Sequence, residues 1–385
     1  MYNASFFDRG IVRTNTNCEK WDNKSENPEG ATPMWIADMD FECAKPIQDA
    51  IIERAQHNCF GYTQICEEDY DAFINFVKRF HGLSLDSSWL EMLPCVITGL
   101  TTCVRVFSKE NESVGVFTPV YGPFTRSINV NNRLPQNLPL IRQENGRYDI
   151  DWVAYEGALK AGTRLFILCS PHNPICRMWT KDELQKLLDM ARRYNATLVV
   201  DEIHSEFVYA PNKFVSILEL TNENDQVVTM MSASKTFNVA GLKQAMLITK
   251  NADMLATIRA ELLGSTATCG NIFALCATRA AYNEGDQWLF AMKDYLTENI
   301  AHLEANLPKK AFLTPMEATY LAWLDLRAYG MSTQEILDKC KKEGVTFSAG
   351  TNFGQEGEGF LRINIGCPKA QLDQALCLLK KALGE

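Results

Sequence analysis

No apolar run in this sequence reaches the roughly 20 residues that a membrane-spanning helix needs, so a membrane protein is not expected. A basic block is missing as well. With 38 basic and 47 acidic residues the formal net charge is -9, which argues against nucleic acid as a main partner. No CxxC pair and no Cys/His group at zinc spacing occurs, so no metal is expected. Thirteen cysteines are present, but they are scattered, and several lie in apolar runs (Cys103, Cys169, Cys276, Cys377). The opening Met1-Tyr2-Asn3-Ala4-Ser5 carries no signal-like apolar stretch. Free thiols in a reducing cytoplasm are therefore expected. Internal repeats and low-complexity segments are also lacking.

What is present is ordinary globular material, 46% hydrophobic and 22% charged over 385 residues. That length suits a large α/β domain with a smaller one beside it. Residues 1–44 read as a polar, irregular arm ending in a segment that joins the small domain. Within it, Pro33 to Phe41 packs apolar residues and paired acids closely, as a loop pressed against something would. Residues 45–285 read as the large domain. Helices are expected over Pro46–Ala55, Glu67–Phe80 and Thr180–Tyr194, the last opened by the capping pattern Thr180-x-x-Glu183. Continuous apolar strands are expected at Ser113–Phe117, Arg164–Cys169, Thr197–Val200, Gln226–Met231 and Gln244–Thr249. Val96 to Gly99 reads as a strand end, with a helix from Leu100 to Phe107. Such strands between helices predict a mostly parallel sheet covered on both faces. Residues 286–385 change character and read as a smaller α+β domain.

In an open parallel sheet, ligands lie beyond the carboxyl ends of the strands. The residues there are Gly99, Leu100, Thr101, Tyr121, Asn173, Asp201, Ser232 and Lys235. Each has a plain reading: Lys235 as a loop lysine, Asp201 as a turn or cap, Asn173 as an Asx-turn, Tyr121 as core. Together they suit a phosphorylated, cationic heteroaromatic aldehyde. A lysine in a cleft, its pKa lowered by desolvation, is a nucleophile for a carbonyl. Asp201 would pair a protonated ring nitrogen, and backbone N–H groups at Gly99–Thr101 would take a phosphate.

The motifs run in the order Tyr121, Asn173-Pro174, Asp201-Glu202, Ser232-x-Ser234-Lys235 and Arg362. In that order they resemble a fold-type I pyridoxal-phosphate enzyme of the aminotransferase class I/II superfamily. Lys20-Trp21-Asp22, Pro33 to Phe41, Asp201 to Ser205 and Ser232 to Asn238 are similar to the cystathionine β-lyase-like branch. So is His204, where many aminotransferases carry tyrosine.

The resemblance implies pyridoxal 5'-phosphate as cofactor and an amino acid as substrate. It implies that Lys235 forms the Schiff base, Asp201 pairs the pyridinium, Asn173 donates to the ring oxygen and Tyr121 stacks on the ring. Gly99, Leu100, Thr101 and Ser232 would bind the phosphate, with His204 and Lys243 also near the cofactor. Arg362 would clamp the substrate carboxylate, with Ala37 and Tyr121 beside it. Tyr62 would reach a partner subunit's cofactor, which implies a homodimer. The reaction implied is carbon–sulfur β-elimination from cystathionine or another cysteine S-conjugate. The alternatives are transamination of a bulky amino acid, or a non-catalytic cofactor sensor, which would need a DNA-binding module ahead of Met1.

Three positions depart from the superfamily pattern. Lys243 stands where an arginine is usual. Cys176 stands near a usual glycine, where a left-handed backbone would cost a side-chain-bearing residue about 1 kcal/mol or more; a reshaped turn and a packed thiol are expected. His172 reads as site lining or as a surface turn residue.

Overall fold

The computed structural model describes residues 2–385. Its centre is a seven-stranded sheet in the order Leu90–Leu93, Ala245–Ile248, Val227–Met231, Thr197–Asp201, Leu165–Cys169, Ser113–Thr118, Leu134–Pro139. Only Ala245–Ile248 runs against its neighbours. Every residue of Leu165–Cys169, Thr197–Asp201 and Val227–Met231 is buried, as continuous apolar strands between two helical layers require. This is the α/β class expected, a mostly parallel sheet sandwiched by helices.

The capping box at Thr180 and Glu183 opens the helix Lys181–Arg193, whose Leu184, Leu187, Leu188 and Ala191 are buried. The helix Glu67–His81 ends on Gly82 in the left-handed conformation, φ 71°. A second, four-stranded antiparallel sheet has the order Phe312–Leu313, Leu321–Asp325, Phe360–Asn364, Ser348–Ala349. Among the described residues no helix is long and apolar enough to cross a membrane.

Two expectations change. The strand before the phosphate turn is Leu90–Leu93, and the helix starts at Val96, not Leu100. Pro94 ends the strand, because it has no N–H for the ladder. The polar arm is also more than an extended strap. It holds short helices at Ala4–Asp8 and Glu19–Asp22. Phe7 is buried against Phe41, Trp288 and Tyr295, with ring centroids 5.1 to 5.9 Å apart. Thr32–Pro33 pairs in parallel with Val345–Thr346, so the N-terminal segment is tied to the C-terminal part.

Candidate active site

Lys235 stands on the short helix Ala233–Thr236, which follows the strand Val227–Met231 through Ser232. The Ser232 hydroxyl accepts from the Ser234 N–H at 3.0 Å and donates to the Gln244 carbonyl at 2.6 Å, which fixes the turn. The lysine side chain enters a cavity of about 160 Å³. Ala37, Tyr121, Asn173, Asp201 and His204 line the same cavity, as do Ser232 and Lys243. These residues come from several strand ends and from the loop that carries Ala37, over two hundred positions apart in sequence.

Burial dominates the electrostatics. It lowers the Lys235 ammonium to about 8, against the pull of Asp38 and Asp201. Its Nζ donates to the Ala37 carbonyl. Burial pushes Asp201 up to about 7, and the Ile203 N–H at 3.0 Å offsets only part of this. It holds His204 down at about 3, so the imidazole is neutral, and its Nδ1 has no partner. The Tyr121 hydroxyl is raised by the same cause.

Arg362 lies behind Asn173, outside the cavity lining. It donates to the Asn173 Oδ1 at 3.1 Å and the Trp35 carbonyl at 2.6 Å, and lies 4.7 Å over the Phe353 ring. Burial lowers it to about 10. Its Nε is unpartnered, and it forms no ion pair with an acid among the described residues. A buried guanidinium without a carboxylate is open to one from a ligand.

The structure does not bring Gly99, Leu100 and Thr101 into the cavity. Leu100 is fully buried, and a Cβ on Gly99 would sit 2.4 Å from Leu93 Cδ1. Gly99 is thus a packing glycine inside the helix, and the Thr101 hydroxyl meets Ser127 at 3.3 Å. Cys95, Val96 and Ile97, at the true helix start, line the cavity instead. The Cys95 thiol meets the Thr98 hydroxyl at 3.3 Å but caps no first-turn N–H, so those of Val96 and Ile97 are available to an anion. Pro94 was the signal that could have shifted the boundary. Tyr62 is fully exposed and away from the cavity.

The departures have structural answers. Cys176 keeps the left-handed backbone, φ 57°, and is fully buried. Its thiol packs against the Leu321 carbonyl at 3.0 Å, and burial raises it to about 12, so it is an inert packed thiol. Lys243 is also left-handed, φ 57°. His172 is neither cavity lining nor surface. It is buried against Trp179, with Nε2 2.9 Å from the Pro119 carbonyl.

The donor set fits pyridoxal phosphate. A carboxylate short of partners awaits a cation, and a helix start with a lysine awaits an anion. A buried amine of lowered pKa stands between such groups in one cavity.

Comparison with known proteins agrees with this arrangement. Residues 36–378 match the family described as aminotransferase class I and II. The chain is 36% identical to the cystathionine β-lyase PatB of Bacillus subtilis, over 98% of this chain and 99% of that protein. Cystalysin of Treponema denticola, solved with pyridoxal 5'-phosphate, superposes with a TM-score of 0.95 at 28% identity, covering 100% of this chain and 99% of that one. A C-S lyase of Staphylococcus hominis gives 0.91 at 30% identity, covering 98% of each chain. The chain belongs to the aminotransferase class I and II family, in its cystathionine β-lyase-like branch.

Proposed function

We propose that the protein is a pyridoxal-phosphate-dependent carbon–sulfur β-lyase that acts on L-cystathionine or related cysteine S-conjugates. One observation carries the reading: a cavity with a deprotonable lysine, backed by a buried arginine that has no carboxylate partner, lies in a chain alike end to end with a cystathionine β-lyase. When bound, pyridoxal phosphate supplies the carbonyl that takes the amino group and the electron-withdrawing ring that acidifies Cα–H.

The protein's own groups do the rest. Asp201 would hold a proton on the ring nitrogen, and would itself be charged opposite that nitrogen. Asn173 would donate to the ring oxygen, and Tyr121 would stack on the ring. Ser232, Lys243 and the helix start at Val96 would hold the phosphate. Arg362 takes the substrate carboxylate. Lys235, near 8, is partly neutral at pH 7 to 8, so it can take the Cα proton. The Cβ–S electron pair then leaves on sulfur, which ends as a thiol. Water completes the balance: cystathionine and water give homocysteine, pyruvate and ammonia.

Three further readings belong with this one. The chain divides into an N-terminal segment 1–44, a cofactor-binding domain 45–285 and a small domain 286–385. It works as a homodimer in which Tyr62 reaches the partner's cofactor; the exposed Phe60 and Tyr62 support this. It is cytoplasmic, which thirteen cysteines, all free, support.

The test is incubation of the holoenzyme with L-cystathionine and S-alkyl cysteines, with pyruvate and free thiol measured together. Equal amounts of both are expected. Amino-group transfer to a 2-oxo acid without pyruvate overturns the reading in favour of an aminotransferase.

A further inference from the structure

Residues 35–41 form an irregular loop against the cavity, and Ala37 in its middle lines it. A loop without a ladder must still satisfy its backbone groups. Here side chains do so, from two places that matter to the reaction. Asn238, three residues after Lys235, accepts from the Met39 N–H at 2.9 Å and donates to the Met39 and Phe41 carbonyls at 2.9 Å. Asn364, two residues after Arg362, donates to the Ile36 carbonyl and, at 2.6 Å, to the Asp38 carbonyl. Its Oδ1 accepts from the Gly366 N–H at 2.8 Å.

The loop is gripped between these amides from both sides. Ala37 stands inside the Asn364 grip, between Ile36 and Asp38, with the Asn238 grip starting two residues on, and its carbonyl accepts from Lys235 Nζ and from the Tyr320 hydroxyl at 3.1 Å. Arg362 itself donates to the Trp35 carbonyl at 2.6 Å. One loop therefore touches both the lysine-bearing turn and the arginine-bearing strand, which belong to different sheets. Asn238 is also left-handed, φ 57°, a conformation that asparagine tolerates better than most residues. A longer amide such as glutamine would not place its donors on the same carbonyls.

We propose that Asn238 and Asn364 are positioning residues that set the placement of Lys235 relative to Arg362 through the shared 35–41 loop. This rests on the roles given to Lys235 and Arg362 above. A substrate held by its carboxylate at one point and its amino group at the other needs that distance fixed. A misplacement of ~1 Å costs about 100-fold in such sites.

The test uses Asn238→Gly, which removes the amide without straining the backbone, Asn364→Ala, and the double variant, all as holoenzymes. Two readouts are taken. The first is kcat/KM for thiol release. The second is binding of L-alanine and of L-alaninamide, followed by the change in cofactor absorbance; it needs no elimination reaction.

Each single variant is expected to lose about 10- to 100-fold in kcat/KM with cofactor retained. Its preference for alanine over alaninamide should narrow about tenfold. The double variant should be no worse than the poorer single variant, because both act through one loop. Losses that multiply, or an unchanged carboxylate preference with only a lower melting temperature, overturn the proposal. If the double variant does not fold, Asn238→Asp with Asn364→Asp replaces it under the same criteria. If the wild type binds alanine but releases no thiol, the lyase reading fails while the binding comparison still decides this one.

Discussion

Asp40 and Asp201 are 1% and 4% exposed, and their surroundings are opposite. Asp40 accepts from Lys20 Nζ at 2.6 Å and from Arg13 Nη1, Trp21 Nε1 and Gln371 Nε2 at 2.8 Å each. Burial alone would raise its pKa, yet Lys20, Trp21 and Arg13 bring it below the ordinary value. Asp201 has one backbone N–H from Ile203, and burial leaves it near 7. A buried carboxylate supplied with every partner by the chain is architecture. One left short in a cavity is a site. Asp40 ties the 35–41 loop, to which it belongs, to Arg13, Lys20 and Trp21 of the N-terminal segment; Asp201 waits for a ligand's charge.

The largest effect separates the two regions by activity. Lys235→Ala should lower pyruvate release about 10⁴-fold while the protein keeps its circular dichroism spectrum. Asp201→Asn should lower it by about 10² to 10³, yet leave the cofactor-free protein as stable as before or more so, since a poorly solvated charge is removed. A melting temperature for Asp201→Asn that falls as far as that of Asp40→Asn would break the comparison.

On the Asp40 side the loss should appear as stability. Lys20→Met leaves a buried carboxylate short of its closest cation and should cost about 3 to 5 kcal/mol. Urea unfolding monitored by tryptophan fluorescence would measure it. A shift under about 1 kcal/mol would mean that Arg13 alone sustains the cluster.

The two acids should also give opposite pH slopes. Asp40, depressed in the fold, contributes stability that is present above its unfolded pKa and lost as pH falls through the folded value. Asp201, raised to about 7, does the reverse in the cofactor-free protein: stability falls as pH rises from about 4 to 7. Cofactor-free Asp201→Asn should therefore lose the downward slope between those values, and wild type with cofactor should lose it too. Melting temperatures at pH 5, 6 and 7 would test both.

The same contrast explains what could be read from the sequence. Asp201, Asn173 and Lys235 follow apolar strand runs, and strand ends of a parallel sheet converge, so local pattern placed them together. The Thr180–Glu183 box and the Leu184 stripe are equally local. Asp40 with Lys20, and Asn238 and Asn364 with the 35–41 loop, are long-range pairings without any period. Lys20, Asp40 and Asn238 stand within the motifs, and Asn364 stands two residues after Arg362, but no spacing told which atoms would meet. At Cys176 the packed thiol is as expected, and only the turn differs, for another reason. Its buried thiol and the Ala318 N–H bond to its carbonyl, 2.9 Å, hold a backbone that propensity alone disfavours.

The smallest effect concerns the helix beside Lys243, where β-branched Val96 and Ile97 imitated a strand. Gly99→Ala puts a methyl 2.4 Å from Leu93 Cδ1 and 2.9 Å from Met230 Sδ. Leu93 is fully buried and Met230 likewise, so neither can swing into solvent. The substitution should cost about 1 to 3 kcal/mol of stability and leave the cofactor dissociation constant within twofold. Val96→Pro should do the converse. Proline suits the first helical position, but it removes the N–H of a residue that lines the cavity. A hydrogen bond to a charged group is worth about 1.5 to 3 kcal/mol, so the dissociation constant should rise at least tenfold. If Gly99→Ala weakens the cofactor while Val96→Pro does not, the phosphate lies one turn further along the helix, and Gly99 belongs to the site after all.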